Sequence, residues 1–169
     1  DPPWKGDATS IAKASWINGK DGQHYSAMET NAICELPVRK ITDNDSILFL
    51  WVRSPMLQQG LAVGKAWGFS FRTVAFVWYK QRINPGAYTL SECELCLLFK
   101  VGKIPNKRGA RNVRQFLSEK RGRHSQKPQE IRKRIEQMFP THSKIELFAR
   151  QKTEGWDVWG NEVESDIDL

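Results

Sequence analysis

Long hydrophobic runs are missing from this sequence. None approaches the roughly 20 apolar residues that a helix needs to cross a bilayer, and the first residues carry neither the basic nor the apolar region of a secretory leader. Cysteine is scarce. Cys34, Cys93 and Cys96 are odd in number, which suits a reducing compartment better than a disulfide framework. These absences set the expectation of a cytoplasmic protein with no membrane partner. The segment "CELC" (93–96) has the spacing of half a zinc site, but no second pair accompanies it and both cysteines fall in a strand-like run. Ordinary buried thiols and no metal site are therefore expected. Acids are nearly absent from residues 101–127, which are dense in Lys and Arg. The net charge of +7 points to an anionic partner, with nucleic acid the leading candidate.

What is present reads as one globular domain. A chain of 169 residues can bury a proper core. Apolar runs at 46–52, 73–79, 94–100 and 144–149 are rich in β-branched and aromatic residues and do not alternate with polar ones, which suits strands covered on both faces. Between them, residues 54–68 predict a helix with Ser54 as N-cap, Pro55 at the first turn and Gly68 as terminator. Residues 127–139 predict another, starting at Pro128 and carrying Ile131, Ile135, Met138 and Phe139 on one stripe. Strands alternating with helices predict an α/β architecture with a mostly parallel sheet, whose ligands sit beyond the carboxyl ends of the strands. Residues 5–27, 80–91 and 101–127 show no clear element, and the last is a long connection of the kind that is functional or mobile.

The chain opens on "DPPW". Asp1 is ionised at neutral pH and only accepts hydrogen bonds, the prolines lack N–H groups and stiffen the backbone, and Trp4 offers a flat face. Together they suit a planar ring bearing an amino group. The N6 amine of adenine is a poor nucleophile because its lone pair is delocalised into the purine, and acceptors holding its hydrogens would turn that lone pair toward an electrophilic methyl group. Taken alone, the four residues read more readily as a turn around a buried tryptophan.

In order along the chain, "DPPW", "HYSAM", "ILFLWV", "VAFVWYK", "ELCLLFKVG", "HSQKPQEIRKRIEQM", "KIELFAR" and "GWDVWGNEV" resemble the DPPW-type adenine-N6 methyltransferases. This family is related to the catalytic subunit of the eukaryotic messenger-RNA adenosine methyltransferase, and the compact ending is similar to its bacterial and phage branch. The resemblance implies a Rossmann-like methyltransferase fold with helices on both faces of the sheet, circularly permuted motif order and S-adenosylmethionine as cofactor. It implies a catalytic set of Asp1, Pro2, Pro3 and Trp4, with Asp1 and the Pro2 carbonyl holding the target amine. Asp1, Lys127, Phe148, Arg150, Asn161 and Glu162 match cofactor-binding positions, Lys127 pairing with the methionine carboxylate. Tyr25 matches an aromatic near the target base. It also implies a strand leading into Asp1, so the single domain over 1–169 is expected to lack that strand.

The basic tract contributes Arg111, Arg121 and Arg123 as expected phosphate contacts, and the segment 79–92 contributes Lys80, Arg82 and Tyr88 around a flexible Asn-Pro-Gly turn. The bacterial likeness favours DNA as substrate. An RNA adenosine N6-methyltransferase and a catalytically silent nucleic-acid-binding subunit are the alternatives, and a second subunit or homodimer is a further expected partner. His124 has no partner at metal or triad spacing and reads as solvated or phosphate-facing.

Overall fold

The computed structural model describes residues 1–5, 27–86, 88–122 and 126–169. Its elements in chain order are α1 (Thr30–Cys34), β1 (Ser46–Arg53), α2 (Leu57–Ala66), β2 (Ser70–Asn84), β3 (Ser91–Val101), β4 (Phe116–Ser118), α3 (Gln129–Met138), β5 (Ile145–Leu147) and β6 (Asp157–Trp159). Four strands form a sheet in the order β1-β3-β2-β4, and β5 pairs with β6 in a second, two-stranded sheet.

The continuous apolar runs are explained by burial on two sides. On β1, Leu50 and Val52 join a core cluster with Ile33, Val63, Trp67, Leu97 and Phe99, and α1 and α2 supply its helical side. Trp51, between them in sequence, points to the opposite face, where Phe76, Trp78, Cys96 and Leu117 pack against Ile131, Ile135 and Phe139 around α3. Successive side chains on a strand alternate in direction, so a strand with a helix on each face has no polar position to offer along its buried length.

The expectation of a mostly parallel sheet needs a correction. β3 pairs antiparallel with both β1 and β2, so those two share one direction, and β4 runs parallel to β2. Three of the four strands point the same way, yet the two long ladders are antiparallel because the β2–β3 hairpin returns its second strand between β1 and β2.

Helix boundaries shift for local reasons. Ser54–Met56 form a 3₁₀ turn ahead of α2, with no side-chain cap from Ser54, whereas Gly68 does end the helix in the left-handed region at φ +82°. Pro128 is the N-cap of α3 and not its first helical residue. The basic tract is less loose than its composition implied. It supplies β4, and the Arg134 side chain donates to the carbonyls of Arg114 and Phe116 at 2.8 and 3.0 Å.

A cavity of about 510 Å³ separates β1, the edge strand of the larger sheet, from β5. Residues Ser46–Trp51 line one wall and Lys144–Phe148 the other, with Ile131 and Ile135 of α3 between them. Asp1, Pro2 and Lys127 also border it.

Candidate active site

The opening motif is folded into a pinned turn. The Trp4 amide donates to the Pro2 carbonyl at 2.9 Å, the Met28 amide donates to the Pro3 carbonyl at 2.8 Å, and the Lys5 amide donates to the Met28 carbonyl at 3.0 Å. The Trp4 indole N–H donates to the Trp51 carbonyl at 3.2 Å, near the carboxyl end of β1. The prolines suit this path because neither position requires an amide donor. Trp4 is half-buried, so one part of its ring is fixed by packing and another is accessible.

Lys127 immediately precedes the N-cap of α3, and its ammonium reaches the Asp1 carboxylate at 2.6 Å. The same ammonium lies 3.3 Å from Glu94 Oε2 and 5.7 Å from the centre of the Trp51 ring. Glu94 Oε1 in turn is 3.4 Å from the Lys80 ammonium. Four side chains from the opening turn, the α3 approach, β3 and β2 therefore alternate in charge: Asp1, Lys127, Glu94, Lys80. Burial pushes the Glu94 pKa up, but the Lys127 and then the Lys80 ammonium pull it down further, and the net effect is a value below the ordinary 4.5.

The other cofactor candidates divide in two. Phe148 lines the same cavity as Asp1 and Lys127, with a left-handed backbone (φ +60°) and its ring edge-on to Trp159 at 5.4 Å. Arg150, Asn161 and Glu162 are exposed beyond the ends of β5 and β6 and do not border the cavity. Arg150 Nε is 3.5 Å from Glu162 Oε1. A Cβ on Gly160 would overlap the Ala149 carbonyl, so glycine is what lets these two segments approach. Asp166 accepts the Val158 amide at 2.9 Å and pairs with Lys152, tying the tail to β6. Of the cofactor candidates, the Lys127 cation, the Asp1 carboxylate and the Phe148 ring border one cavity, a donor set that fits a zwitterionic nucleoside.

The substrate candidates are brought together only in part. Lys80 is 4% exposed and ion-paired with Glu94, so its expected place among the substrate contacts around the Asn-Pro-Gly turn is corrected: this ammonium faces inward. Arg82 is exposed, and Tyr88, 99% exposed, sits on the β2–β3 hairpin that projects past Glu94. The Arg121 amide donates to the Lys80 carbonyl at 3.2 Å, which places Arg121 at the same end of the sheet. Arg111 lies elsewhere. Its loop is fastened to the carboxyl end of α3 through the Gly109 and Ala110 amides, whereas Lys127 marks the amino end. Arg111, expected as a phosphate contact, is therefore set at the opposite end of α3 from Lys127. Tyr25, Arg123 and His124 lie outside the described residues.

Sequence reasoning missed Glu94. It read "CELC" for its thiols, although a charged residue inside an otherwise apolar strand was the signal to follow. Cys96 is fully buried and its thiol is pushed up to about 12 by desolvation. Cys93 stands three residues away and so points to the opposite face of β3.

Residues 1–162 match the model of the MT-A70 family. The chain is 50% identical over 139 residues to the type II methyltransferase M.MunI from Mycoplasma sp, an alignment covering 82% of this chain and 60% of that protein. It is 30% identical over 150 residues to an N(6)-adenosine-methyltransferase MT-A70-like protein of Drosophila melanogaster and 29% identical to an N(6)-adenosine-methyltransferase MT-A70-like protein of Arabidopsis thaliana. The chain spans 60% of the length of the first relative, 24% of the second and 21% of the third.

Proposed function

The chain belongs to the MT-A70 family, and from that premise we propose that it carries the catalytic part of an enzyme that methylates the N6 amine of adenine in DNA. The observation that supports this most directly is the pinned "DPPW" turn, with the Asp1 carboxylate set beside Lys127 at 2.6 Å. S-adenosylmethionine would supply a sulfonium-bound methyl group, its carboxylate held by Lys127 and its nucleoside by Phe148, Arg150, Asn161 and Glu162. A Rossmann-like fold with permuted motif order belongs to this reading.

Asp1 and the Pro2 carbonyl accept the two N6 hydrogens. Lys127 engages one carboxylate oxygen and the second is available to the amine. The Pro2 carbonyl already accepts the Trp4 amide and has a second lone pair to offer. Holding both hydrogens aligns the nitrogen lone pair with the methyl carbon. The bound cofactor would supply the methyl group and leave as a neutral thioether, and the proton released by the amine would pass to the Asp1 carboxylate that holds it and from there to water. An adenine in a duplex must first be flipped out, at about a few kcal/mol. Stacking on Trp4 would return about 1–3 kcal/mol of that. Arg82, Tyr88 and Arg121 are the proposed contacts to the nucleic acid.

DNA is preferred because identity is higher to the type II methyltransferase than to the two proteins named for adenosine. Labelled methyl transfer with DNA and RNA strands of matched sequence in competition tests the polymer. Label on DNA adenine supports the reading, and label confined to RNA would replace DNA by RNA as the substrate.

A further inference from the structure

A lysine that is 4% exposed needs a reason, because burying an ammonium is costly unless a counter-charge meets it. Lys80 has one in Glu94, yet Glu94 also contacts Lys127, and Lys127 contacts Asp1. Glu94 is therefore the link between an interior lysine and the lysine beside the proposed methyl-transfer centre. Its strand holds it firmly: Glu94 is opposite Arg53 on β1 and Trp78 on β2 in the two ladders, and its side chain is only 14% exposed. Lys80 is equally anchored, one residue before the β2 irregularity at which Gln81 adopts φ +53° and donates to the Ser118 hydroxyl at 3.0 Å. Lys127, by contrast, lies before α3 and outside any strand, on a long side chain with many rotamers.

We propose that Glu94, fixed by Lys80, is a positioning residue that holds the Lys127 ammonium between Asp1 and the Trp51 ring. The assignment rests on the methyl-transfer reading for its consequence, but its geometry does not. With Glu94 in place, Lys127 is held by a carboxylate on a fixed strand, and Asp1 retains an oxygen for the target amine. Without Glu94, Lys127 loses an anchor on β3, and its long side chain leaves its place between Asp1 and the Trp51 ring. Displacements on the scale of 1 Å at a reacting centre cost about 10²-fold in rate.

Glu94→Gln alone would strand Lys80 in the interior, so it is paired with Glu94→Gln/Lys80→Met, which removes both buried charges together. The double variant is expected to melt close to the wild type while kcat remains about 10- to 100-fold lower. Recovery of kcat along with the melting temperature would show that Glu94 is only the counter-ion of Lys80 and would overturn the proposal. A second readout needs no turnover. The rate at which an amine-reactive reagent modifies Lys127, read by peptide mass spectrometry, is expected to rise about threefold or more in the double variant, because the side chain is no longer held between Glu94, Asp1 and the Trp51 ring. An unchanged or slower rate overturns the proposal. If the wild type transfers no methyl group, the functional reading fails by itself, and the Lys127 modification rates still decide the role of Glu94.

Discussion

Lys127→Met removes the centre of the alternating charge row and leaves two carboxylates, Asp1 and Glu94, facing the space it held. The magnitude follows from exposure. Breaking a fully buried pair costs about 3–5 kcal/mol and an exposed one less than about 1 kcal/mol. The Lys127 and Asp1 side chains are 17% and 27% exposed, so the loss falls between those limits, at about 2 kcal/mol. For a chain of this size that corresponds to a fall of about 4–8 °C in melting temperature at pH 7. The pH dependence has a definite sign. Glu94 is held below its ordinary value of 4.5, so the stability it contributes is complete above that value and is lost as pH falls through the folded-state pKa. The gap between wild type and Lys127→Met should accordingly be widest at pH 6–7 and narrow below about pH 4.5. Thermal melts followed by circular dichroism from pH 7 to pH 4 measure it. Equal melting temperatures at pH 7, or a gap that widens on acidification, would refute the electrostatic reasoning.

Other outcomes follow from the same geometry. In fluorescence-anisotropy titrations with DNA at increasing salt, Arg82→Ala and Arg121→Ala should each lower the log–log salt slope by about one, whereas Arg111→Ala should leave it unchanged. A side chain at Gly64 would overlap the Phe99 ring, so Gly64→Val should destabilise by about 1–3 kcal/mol in urea unfolding. Cys96, fully buried and with its thiol pushed up to about 12, should resist maleimide in the native protein and react once the chain is unfolded in guanidinium.

The fold was legible in sequence where one physical cause dominated. Leu50, Trp51 and Val52 in a row cannot all be buried unless a strand is covered on both sides, and helices packing on each face meet that condition. Gly68 was legible as a helix terminator because only a left-handed residue fits there. β4 was not legible: Phe116–Ser118 is three residues inside a basic tract, and its pairing with Val77–Tyr79 is a tertiary fact with no local pattern. Strand direction was hidden for a similar reason, since a both-faces-buried run reads the same in parallel and antiparallel ladders. At the site, Asp1 and Lys127 were separable from background only through their motifs, and the structure brings their side chains to 2.6 Å across 126 residues of sequence. Composition also misassigned Lys80, because charge counts do not distinguish an inward-facing lysine from a solvated one, and it overlooked Glu94, the acid that draws Lys80 inward.

Transfer to the N6 position through Asp1 is the central claim, and nucleoside analysis of DNA incubated with S-adenosylmethionine and either the wild type or Asp1→Ala tests it most directly. The account predicts N6-methyladenine from the wild type and none above background from Asp1→Ala, at matched folding by circular dichroism. Equal N6-methyladenine from both proteins, or methyl groups found on any other atom, would contradict it.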